Sequence, residues 1–252
     1  MSLKKTVCLF VVLSLSVLGC AKELDVENAE LSSRKILVMA TGEPNAYVWS
    51  MGGTMGAAVA FGLMGTLVAG GIATEKGNKF HESLSDYPLN MKIRDAVVRS
   101  LVQDGEFEAV PVCVAGESQE DSGCVAVPNS NTMKSEHAGQ YVLAVSPCEY
   151  GLRNQIPYLA LNVGVFDIDT GKTLGRYNIT LKNDEIEQEA RDLKEWTSDR
   201  EGLCNCLDCQ IDEMAKRIVS NMKTGAQVQE EPAWVYMGCS FLTMDKCFES
   251  PE

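Results

Sequence analysis

Three cysteines lie close together late in the sequence, where thiols can support several kinds of chemistry. The segment reads Cys204-Asn-Cys206-Leu-Asp-Cys209. Thiolates at such a spacing can ligate zinc, and Cys206 with Cys209 forms the C-x-x-C pair of thiol-redox centres. A redox pair needs a helix N-terminus that lowers a thiol pKa, whereas an acidic, helix-like stretch precedes this one. With no histidine nearby, we expect structural disulfides rather than a metal or redox site.

Other catalytic patterns are scarce in the sequence. It contains two histidines, His81 and His137, both in polar stretches, and we expect both at the surface. It contains no G-x-S-x-G and no H-E-x-x-H motif, which are the signatures of common hydrolases. The tripeptide Gly171-Lys172-Thr173 lacks the upstream glycine loop of a nucleotide site and predicts a hairpin turn. The sequence therefore predicts no catalytic residue, no metal site, no cofactor and no enzyme.

The N-terminus predicts export. Lys4 and Lys5 precede an apolar run, residues 6–18, that is too short to span a bilayer and suits a signal peptide. The run ends in Val17-Leu18-Gly19-Cys20, which resembles the lipobox of bacterial lipoproteins. The resemblance implies removal of residues 1–19 and acylation of Cys20, for example with palmitate. Two or three acyl chains suffice for stable anchoring.

The residue after Cys20 bears on the destination of the chain. It is Ala21 rather than Asp, which in lipoproteins of this kind implies passage to the outer membrane, facing either the periplasm or the cell surface. Residues 20–33 are polar and predict a tether.

The net charge of −13 disfavours nucleic acid as a partner. The expected partners are the bilayer, reached through Cys20, and another envelope protein or a second copy of the chain.

The remaining cysteines predict three to four disulfides. An even number in an exported protein predicts disulfide pairing. Cys113 and Cys124 flank a polar loop, and Cys239 with Cys247 can close a loop in the C-terminal tail, residues 226–252. The other connectivity stays open among cysteines that include the three described above. The full set is Cys113, Cys124, Cys148, Cys204, Cys206, Cys209, Cys239 and Cys247.

Residues 46–73 form an uncharged segment that is rich in glycine. Small residues at four-residue spacing share one helix face, where a second backbone can approach closely. The pattern resembles the glycine-zipper segment of small outer-membrane surface lipoproteins and predicts membrane contact or self-association. The alternative is a long loop or buried helix that covers the domain. The glycines concerned are Gly52, Gly56, Gly62, Gly65 and Gly70.

Hydrophobic periodicity predicts a single α/β domain over residues 34–225, with helices packed on a mixed, largely antiparallel sheet. An exposed loop is expected at 115–138. The predicted strands are 34–41, 107–114, 140–148, 158–168 and 173–181, and the predicted helices are 89–103, 183–196 and 210–222.

Three of these pieces carry a wider resemblance: the first strand, the helix 89–103 with its following strand, and the hairpin Asn162-Val-Gly-Val-Phe-Asp-Ile-Asp-Thr-Gly-Lys172. Their order resembles a group of periplasmic lipoproteins that includes the curli-secretion lipoprotein and the activators of peptidoglycan synthases. The favoured function is a non-catalytic binding, scaffold or assembly role in the envelope. One alternative is an oligomeric, membrane-inserting pore or secretion subunit that uses residues 46–73. Another is a periplasmic enzyme or thiol-redox protein.

Overall fold

The structure is a computed structural model that describes residues 31, 33–42, 45–49, 75–114, 117–118, 123–127, 129–181 and 188–224. Several predicted features lie outside the described residues. They are the signal peptide, the lipobox with Cys20, the C-terminal tail with Cys239 and Cys247, and the glycines Gly52, Gly56, Gly62, Gly65 and Gly70.

A mixed six-stranded sheet forms the centre of the domain. Its path is β3-β1-β4-β5-β6, and β2 also pairs with β4. Strands β4, β5 and β6 form an antiparallel meander, whereas β1 and β2 run parallel to β4 and β3 runs parallel to β1. The strands are β1 Lys35–Ala40, β2 Asn45–Trp49, β3 Glu108–Pro111, β4 Tyr141–Arg153, β5 Ile156–Asp167 and β6 Thr173–Thr180. The predicted mixed sheet and its hairpin are confirmed.

Strands β1 and β2 share one edge of the long strand β4. Strand β1 pairs with the first half of β4, and β2 pairs with the second half. The chain between them passes through Gly42 at φ 93°, a conformation that glycine adopts without steric cost. A Cβ at this position would lie 2.5 Å from Oγ of Ser146. Residues 46–49, predicted as the start of the glycine-rich segment, therefore belong to the sheet.

Five helices accompany the sheet within the described part of the chain. They are α1 at 75–83, α2 Leu89–Asp104, α3 Ser130–Glu136, α4 Leu193–Ser198 and α5 Arg200–Thr224. Helix α2 is capped at its C-terminal end by Gly105, which adopts φ 76° in the left-handed region, a conformation typical of this position. Helices α2 and α5 pack on each other and enclose the main hydrophobic core against one face of the sheet.

The region predicted as an exposed loop, 115–138, is partly helical. Helix α3 begins after Asn129, whose side chain accepts hydrogen bonds from the backbone N–H groups of Asn131 and Thr132. The helix places Met133, which is fully buried, in a second core on the other face of the sheet. One buried residue in a seven-residue helix leaves too little periodicity to reveal it. The described part of this region thus covers the sheet.

Two helix boundaries also differ from the prediction. Among the described residues of 183–196, only those from Leu193 onward are helical, because the charged sequence before them offers no apolar stripe. The last helix begins at Arg200 rather than at residue 210. Leu203 and Leu207 are both fully buried, and their four-residue spacing extends the apolar stripe backward through the cysteines.

Candidate functional site

Helix α5 carries all three cysteines of the predicted cluster as free thiols. The prediction that Cys204, Cys206 and Cys209 form disulfides is therefore wrong. With three of the eight cysteines free, the predicted total of three to four disulfides is wrong as well. A continuous helix fixes their directions: Cys206 is buried in the main core, Cys209 is exposed, and Cys204 lies between these extremes. Among the described residues, the three thiols do not form a group close enough to hold a metal ion.

The surroundings of Cys204 and Cys206 make both thiols weaker nucleophiles. Burial raises the pKa of the Cys206 thiol to about 11, so the reactive thiolate is scarce at neutral pH. Burial also raises the pKa of Cys204. Cys206 lies within α5, away from the helix N-terminus that would stabilise a thiolate. The nearby Asp208 accepts hydrogen bonds from the hydroxyl of Tyr87 at 2.6 Å and the ammonium group of Lys92 at 2.8 Å.

The predicted disulfide between Cys113 and Cys124 is present. It lies at the end of β3, where Cys113 donates its backbone N–H to the carbonyl of Val125 at 2.9 Å. Cys148 is also disulfide-bonded, and its partner lies outside the described residues. Among the described side chains, Cys113, Glu117 and Cys124 are grouped closely enough to hold a metal ion. Two of these are the bonded cystine sulfurs, which lack the thiolate charge that binds metals.

A buried ion pair joins this disulfide to helix α2. The guanidinium group of Arg94, which is 2% exposed, donates to both carboxylate oxygens of Glu117. It also donates to the carbonyl of Val112 at 3.0 Å and to Asp95 at 2.7 Å. Glu117 accepts a further hydrogen bond from the backbone N–H of Val114 at 3.0 Å. This arrangement fixes the start of the segment after β3.

The two histidines occupy different environments. His81 is exposed, as predicted, and its Nδ1 contacts the hydroxyl of Tyr150 on β4. Burial raises the pKa of Tyr150, so its hydroxyl stays protonated at neutral pH. The neighbouring Phe80 is fully buried and packs edge-on against Tyr150 with ring centroids 5.5 Å apart. These contacts hold α1 against the sheet. His137 ends α3 and is only half-buried, whereas the sequence predicted a surface position.

A cleft of about 470 Å³ lies between α1 and α4, and we call it the lysine cleft. It brings together residues that are far apart in the sequence. Its lining consists of Lys76, Lys79, Asp192, Leu193, Lys194 and Thr197. Sequence reasoning missed this site, because isolated lysines on charged segments carry no local signal.

The wall formed by α4 is held firmly in place. Trp196 is 1% exposed, and its indole N–H donates to the carbonyl of Gln155 at 2.9 Å. Asp192 and Glu195 form a capping box at the start of α4, which satisfies two backbone N–H groups that a helix otherwise leaves unbonded. The lysine cleft is therefore bounded by two helices that are each anchored to the domain through a buried aromatic residue.

Comparisons with other proteins give limited information. No protein-family model matches the chain, and no curated protein is significantly similar to it. A hypothetical protein of Chlamydia trachomatis has a TM-score of 0.34 and 12% sequence identity, with 75% of this chain and 96% of that chain covered. A lipoprotein of Neisseria meningitidis has a TM-score of 0.26 and 16% identity, with 74% and 99% covered. At these values, neither likeness bears on the function of this chain.

Proposed function

We propose that this chain is an outer-membrane lipoprotein whose α/β domain binds or organises another envelope component without catalysing a reaction. The observation that carries the proposal is the lipobox-like quartet ending at Cys20, followed closely by the folded domain. Leu31 already belongs to the main core. It lies eleven positions after Cys20 in the sequence, and a chain of that length spans at most about 40 Å when fully extended. Acylation would therefore hold the domain near the membrane surface.

The described reactive groups support a binding role rather than a catalytic one. The Cys206 thiol has a raised pKa, and the His81 ring contacts a buried tyrosine hydroxyl rather than a nucleophile. The lysine cleft combines several charged side chains, and none of its lining residues is a cysteine or a histidine. Catalysis by the residues that the sequence made prominent would need lower thiol pKa values or a nucleophile beside His81.

The flanks of residues 50–74 argue against the pore alternative. Strand β2 ends at Trp49 and pairs with the second half of β4, while α1 contacts Tyr150 in that same half. Both flanks thus belong to one folded domain and must lie on one side of a membrane. A return path as two helical spans takes about 40 residues, which is more than the chain between the flanks contains.

Labelling with radioactive palmitate in a bacterial host tests the proposed anchor. The unaltered chain should incorporate the label and sediment with outer membranes, whereas Cys20→Ala should lose the label. The matched control is Cys8→Ala, because Cys8 lies in the predicted signal peptide and should leave labelling unchanged. Equal labelling of the Cys20→Ala chain and the unaltered chain would refute the lipoprotein assignment.

A further inference from the structure

We propose that the lysine cleft binds an anionic saccharide, meaning a sugar that carries a carboxylate or phosphate group. This deepens the proposed binding role and rests on it. Three lysines line the cleft, Lys76 and Lys79 from α1 and Lys194 from α4. The chain as a whole has a net charge of −13, so a concentration of positive charge in one concave place is unexpected from its composition.

Two of the three lysines that line the cleft form no ion pair with a described residue. Most described lysines and arginines pair with a carboxylate. Within the described part of the chain, Lys76, Lys134 and Lys194 have no ion pair, and two of these three line the cleft. Lys79 pairs with Glu75 at 3.4 Å, but both side chains are more than 60% exposed. An exposed pair of this kind contributes little and is easily exchanged.

The walls of the cleft keep the lysine backbones at fixed positions before a ligand arrives. Phe80 buries the inner face of α1, and Trp196 buries that of α4. Arg200, at the start of α5, pairs with Asp86 in the turn after α1, which links the two sides of the site. A site on two anchored helices loses less conformational entropy on binding than a site on a mobile loop.

The other lining residues indicate a sugar rather than a bare inorganic anion. Asp192 lines the cleft with a carboxylate group. One of its oxygens caps α4 by accepting a hydrogen bond from the backbone N–H of Glu195 at 2.9 Å, and the cap does not need the other oxygen. This carboxylate repels a simple anion but accepts hydrogen bonds from sugar hydroxyls. The hydroxyl of Thr197 donates to the carbonyl of Lys194 at 3.2 Å and retains acceptor capacity. Leu193 adds an apolar contact.

Lysine is also the appropriate cation for such a ligand. Its ammonium group is a compact point charge on a flexible stem, so it follows an oxyanion without the fixed planar geometry that arginine requires. The volume of about 470 Å³ lies within the roughly 300–1,000 Å³ range of small-molecule sites. The cleft therefore has room for a short saccharide segment whose acidic group contacts the lysines while its hydroxyls contact Asp192 and Thr197.

Calorimetric titration of the full mature chain in mild detergent tests the proposal. The probes are tri-galacturonic acid, glucose 6-phosphate and the neutral sugar maltotriose. We expect one or both acidic probes to bind, with affinity that falls as salt is added, and maltotriose to give no heat. Binding of tri-galacturonic acid alone would identify a polymeric acidic glycan as the source, and binding of glucose 6-phosphate alone would identify a free sugar phosphate.

The cleft is tested by a double variant and a matched control. Lys76→Gln/Lys194→Gln should weaken binding of the acidic probe at least tenfold. The control, Lys134→Gln/Lys216→Gln, removes the same charge from α3 and α5 and should change the affinity less than twofold. All four side chains lie at the surface, so thermal unfolding should be unaffected.

No binding of either acidic probe at millimolar concentration, or equal weakening by both double variants, would overturn the proposal. The titration does not depend on acylation. If the acidic probes do not bind but palmitate labelling is normal, only the ligand assignment is rejected. If a probe binds but the chain is not labelled, only the lipid anchor is rejected.

Discussion

The buried pair of Arg94 and Glu117 offers a direct test of how the region after β3 is held. Replacing Glu117 by Gln keeps the shape of the side chain but removes its charge. In the native chain, one carboxylate oxygen accepts from Arg94 and from the N–H of Val114, and the other accepts from Arg94. The amide of glutamine has a single acceptor oxygen, so its NH₂ group must face a guanidinium donor.

The expected cost follows from burial and from the remaining partner. Arg94 is 2% exposed and Glu117 is 8% exposed, and removing one partner of a buried pair costs roughly 3–5 kcal/mol. Asp95 still accepts from the guanidinium at 2.7 Å and retains part of the charge compensation. We therefore expect a loss near the lower end, about 3 kcal/mol. For a domain of this size, that lowers Tm by about 6–12 °C.

Urea denaturation of the oxidised chain, followed by tryptophan fluorescence, measures this change. Asp95→Asn is the matched control, because Asp95 is 47% exposed and an exposed pair contributes at most about 1 kcal/mol. In the double variant Arg94→Met/Glu117→Gln, the loss should be smaller than the sum of the two single losses. If Glu117→Gln costs no more than Asp95→Asn, the pair does not hold this region.

Three other outcomes are expected. A thiol reagent at pH 8 should modify the exposed Cys209 in the native chain but modify Cys206, whose pKa is raised to about 11 by burial, only after unfolding; equal rates in peptide mass spectrometry would contradict the burial. Met133→Ala should cost about 2–5 kcal/mol in urea denaturation, because the side chain is 0% exposed; an unchanged midpoint would show that α3 does not cover the second core. Replacing Cys113 and Cys124 by serine should cost about 3 kcal/mol, since their separation of 11 residues closes a short loop; an unaltered midpoint would contradict that contribution.

The sequence was sufficient to predict the elements that depend on residues close to one another in the chain. The alternation of apolar residues predicted β5 and β6, and the turn between them forms where Asp167 accepts hydrogen bonds from Thr170. The apolar stripe of α2 and the glycine after it predicted that helix, because both signals lie within a few turns of chain. The Cys113–Cys124 disulfide was predictable for the same reason: the two cysteines flank one short loop.

Features that depend on packing between distant segments were not predictable. The sequence identified the thiols of α5 as chemically interesting but could not show that Cys206 faces the core while Cys209 faces solvent, because that depends on where the helix begins. It gave no sign that Glu117 would meet Arg94. The short helix α3 likewise became evident only where Met133 fills the second core.

Of the two candidate functional features, the sequence predicted one and the tertiary structure alone showed the other. The lipobox-like quartet ending at Cys20 is a contiguous motif, since the chemistry of acylation acts on adjacent residues, and the sequence alone suggests it. The lysine cleft joins Lys76 on α1 to Lys194 on α4, and the two meet only because buried Phe80 and Trp196 anchor their helices to one domain. The grouping of these lysines in one cleft depends on tertiary packing, which the local periodicity of the sequence does not reveal.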